Sequence, residues 1–310
     1  MTYYPVGIPT LCRYEHFKRC VKSLASNTHA DKTELVIGLD YPPSDKYREG
    51  YEKISKYIDT IEGFAKVTVF RHKENLGAVG NFRYVERYIY SIYDAAIMTE
   101  DDNEFAQNFL DYMDKSLSRF KKDPKVLSVS GYCHPDFRYT GEVPVCFSYE
   151  VSAWGIGMWR DKQILTTPKE CQLYFEQFLR NKFLSIKIMR MCPTLFNMLL
   201  GVLHYHLCDA QRGIYNMIEG TTQVRPTKTL VKNWGYDGSG INCGGSVDER
   251  VRTQKLTACQ YFNLTEELLL ADSDICMSYY HNYNVPKTFF KKYKYYLAVI
   301  RNYLTYLYKH

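Results

Sequence analysis

Over its first 130 residues the chain alternates short apolar runs with segments of helical period. That alternation restricts it to a sheet of largely parallel strands, because parallel neighbours need a crossover and a helix of this length supplies one. The apolar runs are YPVGIP (4–9), ELVIGLD (34–40), KVTVFR (66–71), AAIMTE (95–100) and KVLSVSG (125–131). Between them, RYEHFKRCVKSLASN has a helical period, and DKYREGYEKISKYIDTI spaces Tyr47, Tyr51, Ile54, Ile58 and Ile61 at helical intervals. VGNFRYVERYIYSIYD presents Phe82, Val85, Ile89 and Ile92 in the same way. The expected fold is α/β: a mostly parallel, Rossmann-like sheet with helices on both faces.

In such sheets ligands bind outside the carboxyl ends of the strands. The polar residues at those ends are Thr10 and Arg13, then Asp40, then the loop HKENLG, then the triplet Glu100, Asp101 and Asp102. Three adjacent carboxylates repel one another. The triplet therefore suits either a solvated turn, with an acidic residue capping a helix over EFAQNFLDYMDKSL, or a site for Mg²⁺ or Mn²⁺, which prefer oxygen ligands. A buried strand before it and polar residues at the other strand ends favour the cation.

Several function classes lack their signatures. There is no G-x-x-x-x-G-K-[ST] loop, no G-x-G-x-x-G and no G-x-S-x-G elbow. The ten cysteines include no C-x-x-C pair, and MTYYPVGIPT has neither the cationic nor the apolar region of a secretory signal, so reduced thiols in the cytoplasm are expected. His204 and His206 stand two apart, a spacing that fits no helical zinc pair. No apolar run reaches the roughly 18–20 residues of a membrane-spanning helix.

Taken in order, VGIPTLCRYEHFKRCVKSL, ELVIGLD, RHKENLGAVGNFR and AAIMTEDDNEF resemble nucleotide-sugar glycosyltransferases of the GT-A fold. TEDD at a strand end resembles their Asp-x-Asp-type metal motif, in the Glu-Asp-Asp form of N-acetylglucosaminyltransferase I and its bacterial relatives. SAWGIGMW (152–159) and PTKTLVKNWGYDGSGINC (226–243) resemble bacterial family-two-type transferases of surface polysaccharide assembly. The resemblance spans roughly residues 5 to 245.

It implies an inverting transfer from a nucleotide diphosphate sugar, UDP-linked by default, to a hydroxyl of a glycan or lipid-linked acceptor, assisted by Mn²⁺ or Mg²⁺. Thr10, Arg13 and Asp40 would meet the base and ribose, and Asn75, Gly77 and Asn81 would shape the loop and helix start beside them. Asp102 would be the principal metal ligand, with Glu100 and Asp101 at the ribose, the donor sugar or around the ion. Asp209 would take the acceptor's proton, with Asp136 in reserve. Asn242 stands where relatives carry a histidine; an amide oxygen can ligate a hard cation but does not act as imidazole does.

Each of these residues has a plainer reading. Asp40 suits a turn before Pro42 and Pro43, ENLG suits a strand-to-helix turn, and Asp209 suits a helix surface or N-cap. Trp154 with Gly155 offers an indole face and a bare backbone to a sugar ring, or else a core tryptophan. Two other functions remain open: a non-catalytic glycan- or nucleotide-sugar-binding module, and a sugar-nucleotide pyrophosphorylase. GIPTLCRYEH lacks the repeated glycines that open the pyrophosphorylase loop.

The organisation expected is a transferase domain over 1–250, with a nucleotide-binding half (1–103) and an acceptor-side half (104–250), then a helical basic extension over 251–310. From residue 275 onward Lys287, Lys291, Lys292, Lys294, Arg301 and Lys309 meet no acidic residue, so the tail carries the whole net charge of +6. A neutral body argues against a nucleic-acid partner. The tail suits an anionic membrane surface, with the protein peripheral on the inner membrane. Phe289, Tyr293, Tyr296, Ile300, Leu304 and Leu307 are expected to form one apolar stripe with the basic residues opposite.

Overall fold

The structure, a computed structural model, describes residues 2–203, 208–238, 249–257, 262, 264 and 268–309. Asn242, His204 and His206 lie outside the described residues.

The alternation predicts the first half closely. β1 (Val6–Thr10), α1 (Tyr14–Ala25), β2 (Glu34–Leu39), α2 (Arg48–Ile58), β3 (Lys66–Arg71), α3 (Gly77–Ile92) and β4 (Ala95–Met98) follow in order. The helix expected over EFAQNFL begins later, because Asn103–Phe105 forms a short strand, β5, before α4 (Phe109–Phe120). β6 (Val126–Ser130), β7 (Val145–Ser148) and β8 (Ile156–Trp159) come next, followed by α5 (Pro168–Arg180), α6 (Lys182–Met191), α7 (Pro193–Val202) and α8 (Asp209–Glu219). β9 (Thr222–Pro226), β10 (Val231–Asn233), α9 (Glu249–Thr253), α10 (Asp274–Asn282) and α11 (Phe289–Lys309) complete the chain.

Eight strands form one sheet in the order β3-β2-β1-β4-β8-β6-β9-β7, and β10 pairs with β5 in a separate ribbon. β1 is parallel to both β2 and β4, so the chain winds one way to β3 and then reverses to place β4 on the other side of β1. That reversal opens a crevice at the carboxyl ends of β1 and β4. β8 is antiparallel to β4 and to β6, making the sheet mixed beyond β4.

Alternation within the strands divides the core. Leu35, Ile37 and Ile97 join Phe17, Leu24, Ile54 and Phe109 on one face, beneath α1, α2 and α4. Val36, Ala96 and Met98 point to the other face, against Val85 and Ile89 of α3. A further cluster joins α5 to α8 with α10 and α11 through Phe175, Phe196, Ile214, Tyr280 and Tyr303.

That cluster borders a buried ion pair. Arg225 on β9 is 2% exposed, pairs with Glu150 and lies 4.8 Å over the rings of both Phe137 and Tyr279. Tyr279 also donates to Glu150 at 3.0 Å. Removing one partner strands the other charge, so Arg225→Met is expected to cost about 3–5 kcal/mol by chemical denaturation. Glu150→Gln added to it should recover a large share; a double variant no better than the single would contradict this account.

Candidate active site

The crevice between β1 and β4 is floored by the acidic triplet. β4 ends at Met98, and the chain turns through Thr99 so that Asp101 and Asp102, each 4% exposed, fold back towards β1. Thr10 Oγ1, at the end of β1, donates to Asp101 Oδ2 at 2.8 Å. Arg13 donates to Asp102 Oδ2 at 2.7 Å and also pairs with Asp101. Burial alone would lower the Arg13 pKa, but the two aspartates raise it and keep the guanidinium charged. Burial pushes the Asp101 carboxyl up, against the pull of Arg13. Thr10 and Arg13 therefore direct their polar groups at the acidic pair.

Asp40 and Asn75 hold the neighbouring loop. Asp40 Oδ1 accepts from the backbone N–H of Tyr41 (2.9 Å) and of Leu76 (2.8 Å), while Asn75 Nδ2 donates to Asp40 Oδ2 at 3.2 Å and to the Tyr41 carbonyl at 2.6 Å. These bonds tie the end of β2 to the start of α3, and Gly77 makes the corner at φ +72. Asn81, 2% exposed, donates from α3 to the carbonyls of Gly38 (2.8 Å) and Thr10 (3.3 Å), spanning the ends of two strands. A Cβ on Gly38 would stand 2.2 Å from Asn81 Oδ1, so that glycine is what lets the strut approach.

The second wall comes from a distant part of the sequence. β10 pairs with β5, setting Asn233 opposite Asn103. Asn233 Nδ2 donates to Asp102 Oδ1 at 2.7 Å, and the Trp234 N–H donates to the Asp102 carbonyl at 2.9 Å. Gly235 N donates to Asn233 Oδ1 at 2.9 Å, and a Cβ there would lie 2.1 Å from Asp102 Oδ2. Gly235→Ala should therefore displace the Asp102 carboxylate, at about 1–3 kcal/mol for overpacking. A melting temperature unchanged in that variant would show the loop yields freely. Neither Asn233 nor Gly235 stands out in sequence, except as part of VKNWGYDGSG following a short apolar run.

α8 supplies the third wall. Cys208 caps it in a reciprocal arrangement with Gln211, and Gly220 ends it at φ +67, which places Asp209 in the first turn. Ala153 N donates to Asp209 Oδ2 at 2.9 Å, anchoring the carboxylate to the segment before β8. Burial raises the Asp209 pKa to about 6, partly opposed by that bond and by Arg212 one turn further on.

Glu100 faces the same space. Its side chain is exposed to the water of the crevice, yet protein crowds it, and its pKa is raised to about 8 by burial and then by Asp102, Asp209 and Asp101. No residue donates a hydrogen bond to its carboxylate among the described residues. Asp209 loses its proton first, and its charge then helps hold the proton on Glu100. Two carboxyl groups pushed to different values in one crevice are an arrangement suited to acid–base work.

Two of the sequence candidates are used otherwise, and Trp154 stands beside Ala153, which holds Asp209. Asp136 pairs with Arg250. Gly155, at φ +62, is not bared to a ligand: its added Cβ would meet Phe109 at 2.9 Å, so the glycine serves packing against α4. Trp154 is half-buried, edge-on to Tyr132 at 4.5 Å and to Tyr236 at 5.9 Å.

The oxygen donors of Glu100, Asp102 and Asp209 suit a hard divalent cation in kind. Among the described residues no three such side chains are drawn close enough to hold one as they stand, and both Asp102 oxygens already accept from Arg13 and Asn233. Glu100 is the carboxylate with both oxygens uncommitted.

No protein-family model matches the sequence, and no curated protein matches it. Among solved structures, the chain is similar to the mannosyltransferase PcManGT from Pyrobaculum calidifontis in complex with GDP-Man and Mn²⁺, at 14% identity and a TM-score of 0.38, over 55% of this chain and 52% of that one. It is also similar to S. aureus TarS, at 12% identity and 0.34, over 57% of this chain and 30% of that one. The TarS 1–349 fragment in complex with UDP-GlcNAc overlaps at 12% identity and 0.33, covering 57% of this chain and 48% of that one. The matched part thus spans about a third to half of those proteins' own lengths. Scores this low mark loose overlaps that carry no weight for the chemistry of the site.

Proposed function

We propose that the chain is a metal-assisted glycosyltransferase of the GT-A kind, moving a sugar from a nucleotide diphosphate sugar to a hydroxyl of a glycan or lipid-linked acceptor. One observation carries the reading. Asp209, more than a hundred residues from the triplet, is brought to the same crevice as Glu100, and both carboxyl groups are pushed up into the range where protons move near neutral pH.

In this reading the nucleotide lies along the carboxyl ends of β1 to β4, beside Thr10, Arg13, Asp40 and the Asn75–Gly77 corner. The donor sugar lies towards Trp154. Asp209 is ionised above pH 6, and its carboxylate accepts the proton of the acceptor hydroxyl as that oxygen attacks the anomeric carbon from the face opposite the leaving diphosphate. The product is inverted at that carbon. Arg212 keeps positive charge near Asp209 and favours its ionised form. Glu100 and Asp102 are the residues that would hold Mn²⁺ or Mg²⁺; bound there, the cation offsets the negative charge growing on the departing nucleotide. A role in bacterial surface polysaccharide assembly follows the sequence resemblance alone.

A thermal-shift screen of nucleotide sugars, with and without Mn²⁺, tests the reading. A ligand that binds only the folded state raises its stability by mass action, about 2.7 kcal/mol at a hundred times Kd. Stabilisation by one nucleotide series, enlarged by Mn²⁺, is expected. Mn²⁺ must also displace the proton that Glu100 retains up to about pH 8, so its affinity should rise from pH 6 to pH 8. Stabilisation by no nucleotide sugar under any of these conditions would contradict the proposal.

A further inference from the structure

The six basic residues after position 275 have no task in the crevice, and the helix that carries most of them has more exposed apolar surface than packing explains. α11 runs from Phe289 to Lys309, 21 residues. At about 1.5 Å per residue that is roughly 31 Å of rod. The structure adds a buried sector beside the apolar stripe expected from sequence. Val299, Tyr303 and Tyr306 are the buried residues, and they face α7 and α5: Tyr303 donates to the Leu179 carbonyl at 2.8 Å, and Tyr295 donates to Thr194 Oγ1 at 2.9 Å.

A second apolar sector lies beside the first and faces water. Phe289 is 78% exposed, Tyr293 59%, Leu297 48%, Ile300 42%, Leu304 59% and Tyr308 92%. At about 100° per residue these six fall within one arc of roughly 100° along the whole helix. Lys291, Lys294, Arg301 and Lys309 occupy the next arc. None of the basic residues after 275 pairs with a carboxylate among the described residues, and Lys292 donates only to Asn282 Oδ1, at 3.3 Å. The helix thus has a packed sector, a wet apolar sector and a cationic sector, in that order around its axis. α6, which packs on the same α7, exposes Phe183 (84%) and Ile186 (46%) and carries Lys182, Lys187 and Arg190 with no acidic residue.

We propose that α11 is an in-plane membrane-docking helix whose Phe289–Tyr308 sector enters the headgroup boundary of an anionic lipid surface, with the neighbouring lysines on the headgroups. Scattered exposed apolar residues are ordinary, but a continuous stripe of this length on one helix marks a contact surface. The chemistry of the partner follows from charge: an apolar protein surface would need no cationic border, and an acidic protein would need no apolar stripe. Among the described residues no helix is long and apolar enough to cross a membrane, so the contact is with a surface. The proposal stands whether or not the chain transfers sugar.

Co-sedimentation of the full chain with vesicles of phosphatidylcholine, alone or with about 30% phosphatidylglycerol, tests it. Binding to the anionic vesicles at least about tenfold tighter than to the neutral ones is expected, weakening as salt rises. Lys291→Gln with Lys294→Gln should weaken it about thirtyfold, at roughly fivefold for each lysine near the surface. Phe289→Ser with Leu304→Ser should also release the protein, while the melting temperature stays put because both side chains are already in water. Binding to neither vesicle, or equally to both, would overturn the proposal. So would a dimer in sedimentation that the Phe289→Ser, Leu304→Ser pair dissolves with no vesicle binding, which would give the face to a second copy of the chain.

Discussion

If the chain transfers sugar as proposed, replacing Asp209 with Asn should lower kcat by about 100- to 10,000-fold, the span by which positioned proton transfer accelerates such steps. Donor affinity should change little, because Asn keeps an oxygen that can accept from Ala153 N and the nucleotide lies at the other strand ends. The pH profile separates a base from a structural residue. A carboxyl at about 6 is protonated below that pH, so wild-type kcat should fall about tenfold per unit on the acid side and level off above it. In Asp209→Asn that limb should disappear from the residual rate. A variant that keeps wild-type kcat would return the role of base to another group, with Asp136 unsuited because Arg250 occupies it.

Removing the guanidinium of Arg13 should cost much of the protein's stability in a pH-dependent way. Asp101 and Asp102 are both 4% exposed, and Arg13 is the cation that bridges them. Arg13→Ala strands two like charges and should cost about 3–5 kcal/mol near neutral pH, towards the lower end because Arg13 itself reaches water. The sign with pH is fixed. Burial already pushes the Asp101 carboxyl up, and losing the guanidinium removes the pull against it, so the variant's stability is retained below the unfolded carboxylate range and lost as pH rises through the folded value. The gap between variant and wild type should therefore narrow at pH 4 and widen at pH 7. Millimolar Mn²⁺ should recover part of the loss, since a hard cation can stand where the guanidinium stood. A loss independent of both pH and Mn²⁺ would mean that Arg13 contributes packing alone.

The first half of the fold was legible because each parallel strand carries its own apolar run and each crossover its own helical period. β3 begins and ends where its pattern does, and β2 and β6 are within one residue at either end. The strand-end rule then gathered Thr10, Asp40, Asn75 and the triplet at one edge without any long-range information. The pairing of β5 with β10 is a different matter. Two three-residue strands separated by more than a hundred residues have no period to read, yet they bring Asn233 and Gly235 against Asp102. EFAQ was expected to open a helix for the same reason: its partner strand, not its own composition, makes it extended. On α11 the 3.6 period located the apolar positions, but two adjacent apolar sectors share that period, and which of them is buried depends on where α7 sits. The roles given to Thr10 and Arg13 show a similar gap. Their place at the edge was readable, but their engagement with Asp101 and Asp102 depends on the reversal of strand order between β1 and β4.

The central claim is that the crevice lined by Glu100, Asp102 and Asp209 activates the donor sugar. Nucleotide release from the donor identified by thermal shift, measured with Mn²⁺ and with the cation chelated, tests it most directly in wild type, Glu100→Gln and Asp209→Asn. Wild type should turn over with Mn²⁺ and lose most of that activity on chelation. Glu100→Gln should need far more Mn²⁺, while Asp209→Asn should bind donor and Mn²⁺ as wild type does and release nucleotide at least about a hundredfold more slowly in the presence of acceptor. Equal rates in all three proteins would contradict the account.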